Sequence, residues 1–284
     1  MRARSLVVIN LGAALTACGS GGGGPPALAY RLPTPAEASY DVLDTATIAI
    51  DALGQSLELE VGSEAVYRLA FARADDGVTV TLSVDDLAAT VSVPMAGPIA
   101  VDESSISGDL VFTLDRRGDA ALIAAPEIDA AAGQLMPPLQ IANSFFPALP
   151  GSAVRPGDTW VDTISYAYDG DGAVTNPGDA GAGTQLSILR YTAVGDTVVG
   201  GTPLLKIAFT GTSEISNTLS MQGAEIQQST DLQLDGQVLW DLQRGIMFER
   251  RTTSSGTGRV RVAMLPSELP TRFQAVSRVR LRPE

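Results

Sequence analysis

Few residues in this chain are able to do chemistry, and the absences narrow the field quickly. The 284 residues contain no histidine and one cysteine, Cys18. Without histidine there is no Ser-His-Asp or Cys-His relay, and no imidazole to ligate zinc or iron. Lys206 is the single lysine, within the apolar run 203–209 and with no Ser-x-x-Lys before it. It reads as an outward-facing strand residue, not a base. Asp169, Asp171 and Asp179 invite a calcium reading. Counted from Asp169, however, an EF-hand loop needs an oxygen donor at the fifth position, glycine at the sixth and glutamate at the twelfth. Those positions hold Ala173, Val174 and Ala180. A looser site from the three aspartates is the lesser reading beside a solvated loop whose Gly, Asp, Asn and Pro serve turns. Two of the 32 acidic residues brought together in a cleft would suit glycoside cleavage, but nothing in the sequence selects a pair. The expectation is a non-catalytic protein with no cofactor and no metal, and a carboxylate-based hydrolase is the minor alternative.

Cys18 has a different chemistry. Arg2 and Arg4 precede a short apolar run, 6–15, which ends in Leu15-Thr16-Ala17-Cys18. The run is too short to span a bilayer and has the layout of a signal peptide. The tetrad resembles the lipobox of bacterial lipoproteins. That resemblance implies cleavage after Ala17 and lipidation of Cys18, which anchors the chain to a membrane. Gly19, rather than Asp, implies the outer membrane if the host is Gram-negative. The glycine-rich stretch after Cys18 is a flexible tether. The expected setting is the cell envelope, and the expected partners are the membrane, a lipid or other hydrophobic ligand, or an envelope protein. The formal net charge of −13 argues against nucleic acid. Nine arginines from Arg244 onward offset the acidic body. In Arg278-Val279-Arg280-Leu281-Arg282 they alternate with apolar residues, as on the solvated face of a strand able to pair with carboxylates.

The elements that must position any site are strands. Ser107-Gly108-Asp109-Leu110-Val111-Phe112-Thr113-Leu114-Asp115-Arg116-Arg117-Gly118 is echoed by Asp235-Gly236-Gln237-Val238-Leu239-Trp240-Asp241-Leu242-Gln243-Arg244-Gly245. In each copy large apolar residues alternate with smaller or more polar ones, the period of a half-buried strand, and a closing Arg-Gly marks a turn. Gly118 and Gly245 lie 127 residues apart, and Met95 and Met221 lie 126 apart. Upstream, Gly62 and Gly157 are 95 apart, which places extra residues of the second copy at 169–183. Short alternating runs separated by turn residues, with Gly62 read as a turn and Asp75-Asp76-Gly77 as a hairpin, complete the pattern. The fold class expected is mainly β and antiparallel. Two related meanders form a curved sheet or half-barrel, or a packed sandwich, with a short helical linker. The divisions are a signal peptide 1–17, a tether 18–36, a first β unit 37–124, a Pro/Phe-containing linker 125–151 with a helix at 128–136, and a second β unit 152–284.

Phe145 and Phe146, set among prolines, and Trp160, at the start of the second unit, are the candidate ligand-binding residues, near the mouth of a concavity. Phe146-Pro147-Ala148-Leu149-Pro150, Gly157-Asp158-Thr159-Trp160 and Trp240-Asp241-Leu242-Gln243-Arg244-Gly245 resemble motifs of a family of uncharacterised bacterial envelope lipoproteins. The resemblance implies kinship of fold and transfers no activity. At the level of architecture alone, a lipidated all-β chain with a short plug is similar to half-barrel lipid-binding lipoproteins.

Overall fold

The computed structural model describes residues 27–52, 55–93, 97–129, 141–142, 145–168, 174–175, 183–221, 224–262 and 267–283. Cys18, the signal peptide, residues 19–26 and Asp169, Asp171 and Asp179 lie outside the described residues. So does most of the expected helix at 128–136, and Ile128 itself is in a short strand.

The strands are β1 (Glu37–Ala52), β2 (Gln55–Ala74), β3 (Gly77–Val93), β4 (Gly97–Asp102), β5 (Ile106–Ser107), β6 (Leu110–Leu114), β7 (Ala120–Ala124) and β8 (Glu127–Ile128), followed by β9 (Thr159–Tyr168), β10 (Val174–Thr175), β11 (Gly183–Val199), β12 (Thr202–Met221), β13 (Ala224–Asp241), β14 (Ile246–Val262) and β15 (Leu269–Leu281). Thirteen of them make one antiparallel sheet in the order β10-β9-β11-β12-β13-β14-β15-β1-β2-β3-β6-β7, with β4 on β3. The two meanders are joined where β1 pairs with β15, from Tyr40 opposite Leu281 to Ile50 opposite Thr271. The sheet does not close on itself, because its path ends at β10 and β7. No helix among the described residues is long and apolar enough to cross a membrane.

The alternation that predicts strands also decides which face is inside. In β2, Ala65, Tyr67, Leu69 and Phe71 are buried while Glu64, Arg68, Ala70 and Ala72 are exposed. The strands are longer than the runs in the sequence suggest. Gly62 is not a turn; it lies in the middle of β2, opposite Thr45 and Thr90. It is therefore not equivalent to Gly157, which sits in the turn before β9. Gly211, Gly236, Gly256 and Gly258 likewise lie inside strands. A Cβ on Gly236 would stand 2.3 Å from the Arg251 carbonyl oxygen and 2.4 Å from the Phe209 ring. Such glycines mark close approach within a strongly bent sheet and not the end of a strand.

The bend follows from distances. Six strand spacings of about 4.8 Å would separate β6 from β13 by roughly 29 Å in a flat sheet. Yet Phe112 on β6 reaches Trp240 on β13 through two intervening rings: Phe112 to Phe146 is 5.8 Å, Phe146 to Tyr30 is 5.7 Å, and Tyr30 to Trp240 is 5.2 Å. The sheet must curve around these rings, and its concave face forms a single core with them.

The rings belong to a plug. Residues 28–30, assigned to the tether on sequence, are buried, and Leu28 and Tyr30 belong to the core. The Leu28 N–H donates to the Ser152 carbonyl at 2.9 Å, and the Gly151 N–H returns a bond to the Leu28 carbonyl at 3.0 Å. Tyr30 N–H donates to the Arg116 carbonyl, Leu149 N–H donates to the Arg117 carbonyl, and the Tyr30 hydroxyl donates to the Pro147 carbonyl at 2.7 Å. The turn that receives them is one of the two echoed hairpins. Asp115 Oδ1 accepts from the N–H groups of Arg117, Gly118 and Asp119, and Asp241 Oδ1 accepts from those of Gln243 and Arg244. These aspartate-capped turns explain why both copies carry Asp before the Arg-Gly close.

Candidate functional site

The concave face is laid out in rows by the strand register. One row runs Ala89, Ser63, Asp44, Ser277, Thr252, Gly236, Phe209, Tyr191, Trp160 from β3 round to β9. The next runs Ala65, Val42, Val279, Arg250, Val238, Ile207. A polar belt of Ser63, Asp44, Ser277 and Thr252 thus lies beside an apolar row interrupted by one guanidinium.

A half-open cavity of about 430 Å³ occupies this part of the face. Its walls are chiefly Val42, Ala46, Val61, Phe273, Ala275 and Val279. Tyr67, Ile141 and Phe145 also line it, and Asp44, Ser63, Ser277, Thr252 and Arg250 are its polar groups. The mix of apolar walls with a few placed polar groups is that of a small-molecule site.

Two ionisable groups give the cavity its chemistry. Burial raises the Asp44 carboxyl above its ordinary value, and hydrogen bonds from Ser277 and Ser63 and the field of Arg250 offset part of the rise. Burial, and then the charge of Asp44, raises Tyr67 as well. Arg250 is half-buried, with its guanidinium carbon 5.4 Å from the centroid of the Phe209 ring, a cation–π contact. It makes no hydrogen bond or ion pair with any described residue. The arrangement suits binding: it offers apolar area, one neutralisable acid and one permanent cation.

The three candidates from the sequence fall in different places. Phe145 lines the cavity and packs its ring 5.2 Å from Tyr40. Phe146 lies behind it, buried against Tyr30 and Phe112, and is not a lining residue. Trp160 is in the row of Asp44 but on the far arm of the sheet. There it stacks on Tyr191 at 5.5 Å with an interplanar angle of 9°, and its indole N–H donates to the Ala148 carbonyl at 2.9 Å. Burial pushes the Tyr191 phenol up to about 12. Lys206 points outward from β12, between the buried Leu205 and Ile207.

Asp44 and Arg250 were missed on sequence, although each left a trace. In β1 the inward phase reads Tyr40, Val42, Asp44, Ala46, Ile48, Ile50, so Asp44 is an acid in an apolar series. Arg250 and Arg251 are adjacent in β14, and adjacent strand residues point to opposite faces, so one of them must face inward. The solvated arginine face expected from the tail is present on the outer side. Glu249, buried there, pairs with Arg251, with Arg278 at 3.2 Å and with Arg280 at 3.7 Å. Arg282 pairs with Asp41 and Arg272 with Asp51.

No family model matches the chain, and no curated protein matches it.

Proposed function

We propose that this chain is a non-catalytic lipoprotein of the cell envelope, anchored through Cys18, that binds an apolar or amphiphilic ligand in the concavity of its sheet. One observation carries the binding half of the proposal. A bent sheet plugged by Phe145 and its neighbours retains on its concave face a half-open 430 Å³ space with mainly apolar walls and a few polar groups. The anchoring half rests on the lipobox-like Leu15-Thr16-Ala17-Cys18. Native mass spectrometry of the protein purified from membranes tests the first half. A bound species of lipid mass is expected, and its absence, together with failure to bind a neutral apolar dye, refutes the reading. Cys18→Ala tests the second: the variant is expected to leave the membrane fraction, and unchanged partitioning and processing would overturn the anchor.

A second reading, an interaction lipoprotein of the envelope, is favoured by apolar side chains on the outer face. Val161, Leu186 and Ile188, on the neighbouring strands β9 and β11, are 45%, 38% and 45% exposed. Crosslinking in cells that recovers a stoichiometric protein partner through these strands, with no lipid bound, would replace the first reading by the second.

A further inference from the structure

We propose that the cavity takes a single-chain amphiphile with an oxyanion head, a carboxylate or a phosphate ester, seated inward against Arg250 and with its chain along Ala46, Val61 and Phe273. This rests on the reading of the cavity as an apolar-ligand site and adds the charge and direction of the ligand.

Three observations carry it. The first is the isolation of Arg250. Arg251, Arg259, Arg272, Arg278, Arg280 and Arg282 each have a carboxylate partner, whereas Arg250, which lines the cavity, has none among the described residues. Its strand neighbours in the row are Val279 and Val238. A half-buried guanidinium between valines gives up hydration, and the Phe209 ring face returns only part of it. Its planar fork of N–H donors fits a carboxylate or phosphate, two-pronged and charge-assisted.

The second is that Asp44 does not serve as the counterion. It lines the same cavity, accepts hydrogen bonds from Ser277 and Ser63 and feels the field of Arg250, but it forms no ion pair with that guanidinium. Burial shifts the Asp44 carboxyl toward its neutral form, and the serine hydrogen bonds and the field of Arg250 offset part of that shift. A ligand anion would reinforce the shift by favouring the protonated acid further.

The third is size. A chain methylene occupies the space of a water in the liquid, roughly 30 Å³, so a half-open cavity of about 430 Å³ is of a size to seat one chain of about a dozen carbons, and a second chain would lie on its open side. In the strand register Arg250 is level with Val42, one inward position from Tyr40, which packs on Phe145, whereas Phe273 is level with Ile48, three inward positions further along, so the head is placed toward the plug and the chain toward Phe273.

The test uses the full chain, exchanged from detergent into an amphipathic polymer and titrated calorimetrically with dodecanoate, dodecyl phosphate, dodecanol and inorganic phosphate. N-phenyl-1-naphthylamine serves as a neutral apolar probe. Dodecanoate or dodecyl phosphate is expected to bind at least tenfold more tightly than dodecanol, and whichever binds tighter identifies the head. Arg250→Gln should remove that gap and Arg250→Lys should keep most of it, with the folding of each variant checked by circular dichroism and thermal melting. If dodecanol matches both anions, or Arg250→Gln preserves the gap, the inward anionic head is wrong while the apolar-ligand reading stands. If inorganic phosphate binds as tightly as dodecyl phosphate, the site is for a free anion and the amphiphile is wrong. If neither the naphthylamine nor any chain binds, the underlying reading itself falls. Should Arg250→Gln fail to fold, the gap in the unmodified chain and its retention in Arg250→Lys decide the matter.

Discussion

Phe145 and Phe146 are neighbours in sequence, nearly equal in burial at 5% and 4% exposure, yet their truncation to alanine should differ in cost. Phe146 is enclosed by Tyr30, Phe112 and Phe145, with centroid distances of 5.7, 5.8 and 4.9 Å. Removing its ring leaves a dry hole that rigid strands on either side cannot fill. A buried Phe→Ala change costs about 3–5 kcal/mol, and Phe146→Ala belongs at the upper end, about 4–5. Phe145 makes comparable ring contacts with Tyr40 and Tyr67, but one side of it borders the existing 430 Å³ cavity. The space left by Phe145→Ala merges with that cavity and lets water in, so the cavity part of the penalty shrinks and about 2–3 kcal/mol remains. The difference of about 2 kcal/mol corresponds to roughly 4–8 °C in Tm for a chain of this size. Urea unfolding followed by tryptophan fluorescence reads both variants, because Trp240 sits 5.2 Å from Tyr30 within the same cluster. Equal costs, or the reverse order, would refute the placement of the cavity beside Phe145. Losses below about 1 kcal/mol in both would refute the plug as part of the core.

Three further outcomes are expected. Asp44→Asn should flatten the alkaline-going limb of the stability profile. Burial raises the folded-state value of Asp44, so the native chain holds the proton more firmly than the unfolded one, and stability falls as pH rises from the ordinary carboxylate range near 4 through the raised value. Denaturant titrations from pH 4 to 8 check this, and an unchanged slope in the variant would count against it. Gly236→Ala should cost about 1–3 kcal/mol, because its Cβ would collide with the Arg251 carbonyl and the Phe209 ring. Gly62→Ala, whose nearest neighbour is 3.9 Å away, should be neutral or slightly stabilising by thermal melting. Glu249→Gln should destabilise by about 1–3 kcal/mol and lose much of that effect in 1 M salt, since it strips the shared carboxylate from Arg251, Arg278 and Arg280.

Much was determined by the sequence alone. Period-2 alternation in stretches such as 65–71 fixes strand identity and the buried face, because only one face of such a strand is apolar. The Asp-to-Gly ends of the echoed stretches announce hairpins, and the structure supplies the reason in the Asp115 and Asp241 caps. The acidic composition and the absence of histidine limit the chemistry at the level of composition alone. Strand length was not legible, because a glycine that ends a strand and one that lets a strand bend look identical in one dimension. Gly62 and Gly236 are of the second kind.

The site was decided by tertiary structure. Asp44 and Arg250 are more than two hundred residues apart in sequence and share a cavity only because β1 pairs with β15, and β15 with β14. Local pattern cannot specify that the first and last strands meet. It also cannot specify that the curvature of the sheet brings Trp240, Tyr30, Phe146 and Phe112 into one chain of ring contacts while leaving Arg250 with no carboxylate partner among the described residues. Side-chain alternation reports only which face of a strand is apolar, whereas a binding site depends on how far that face is bent and on what remains unfilled inside the bend.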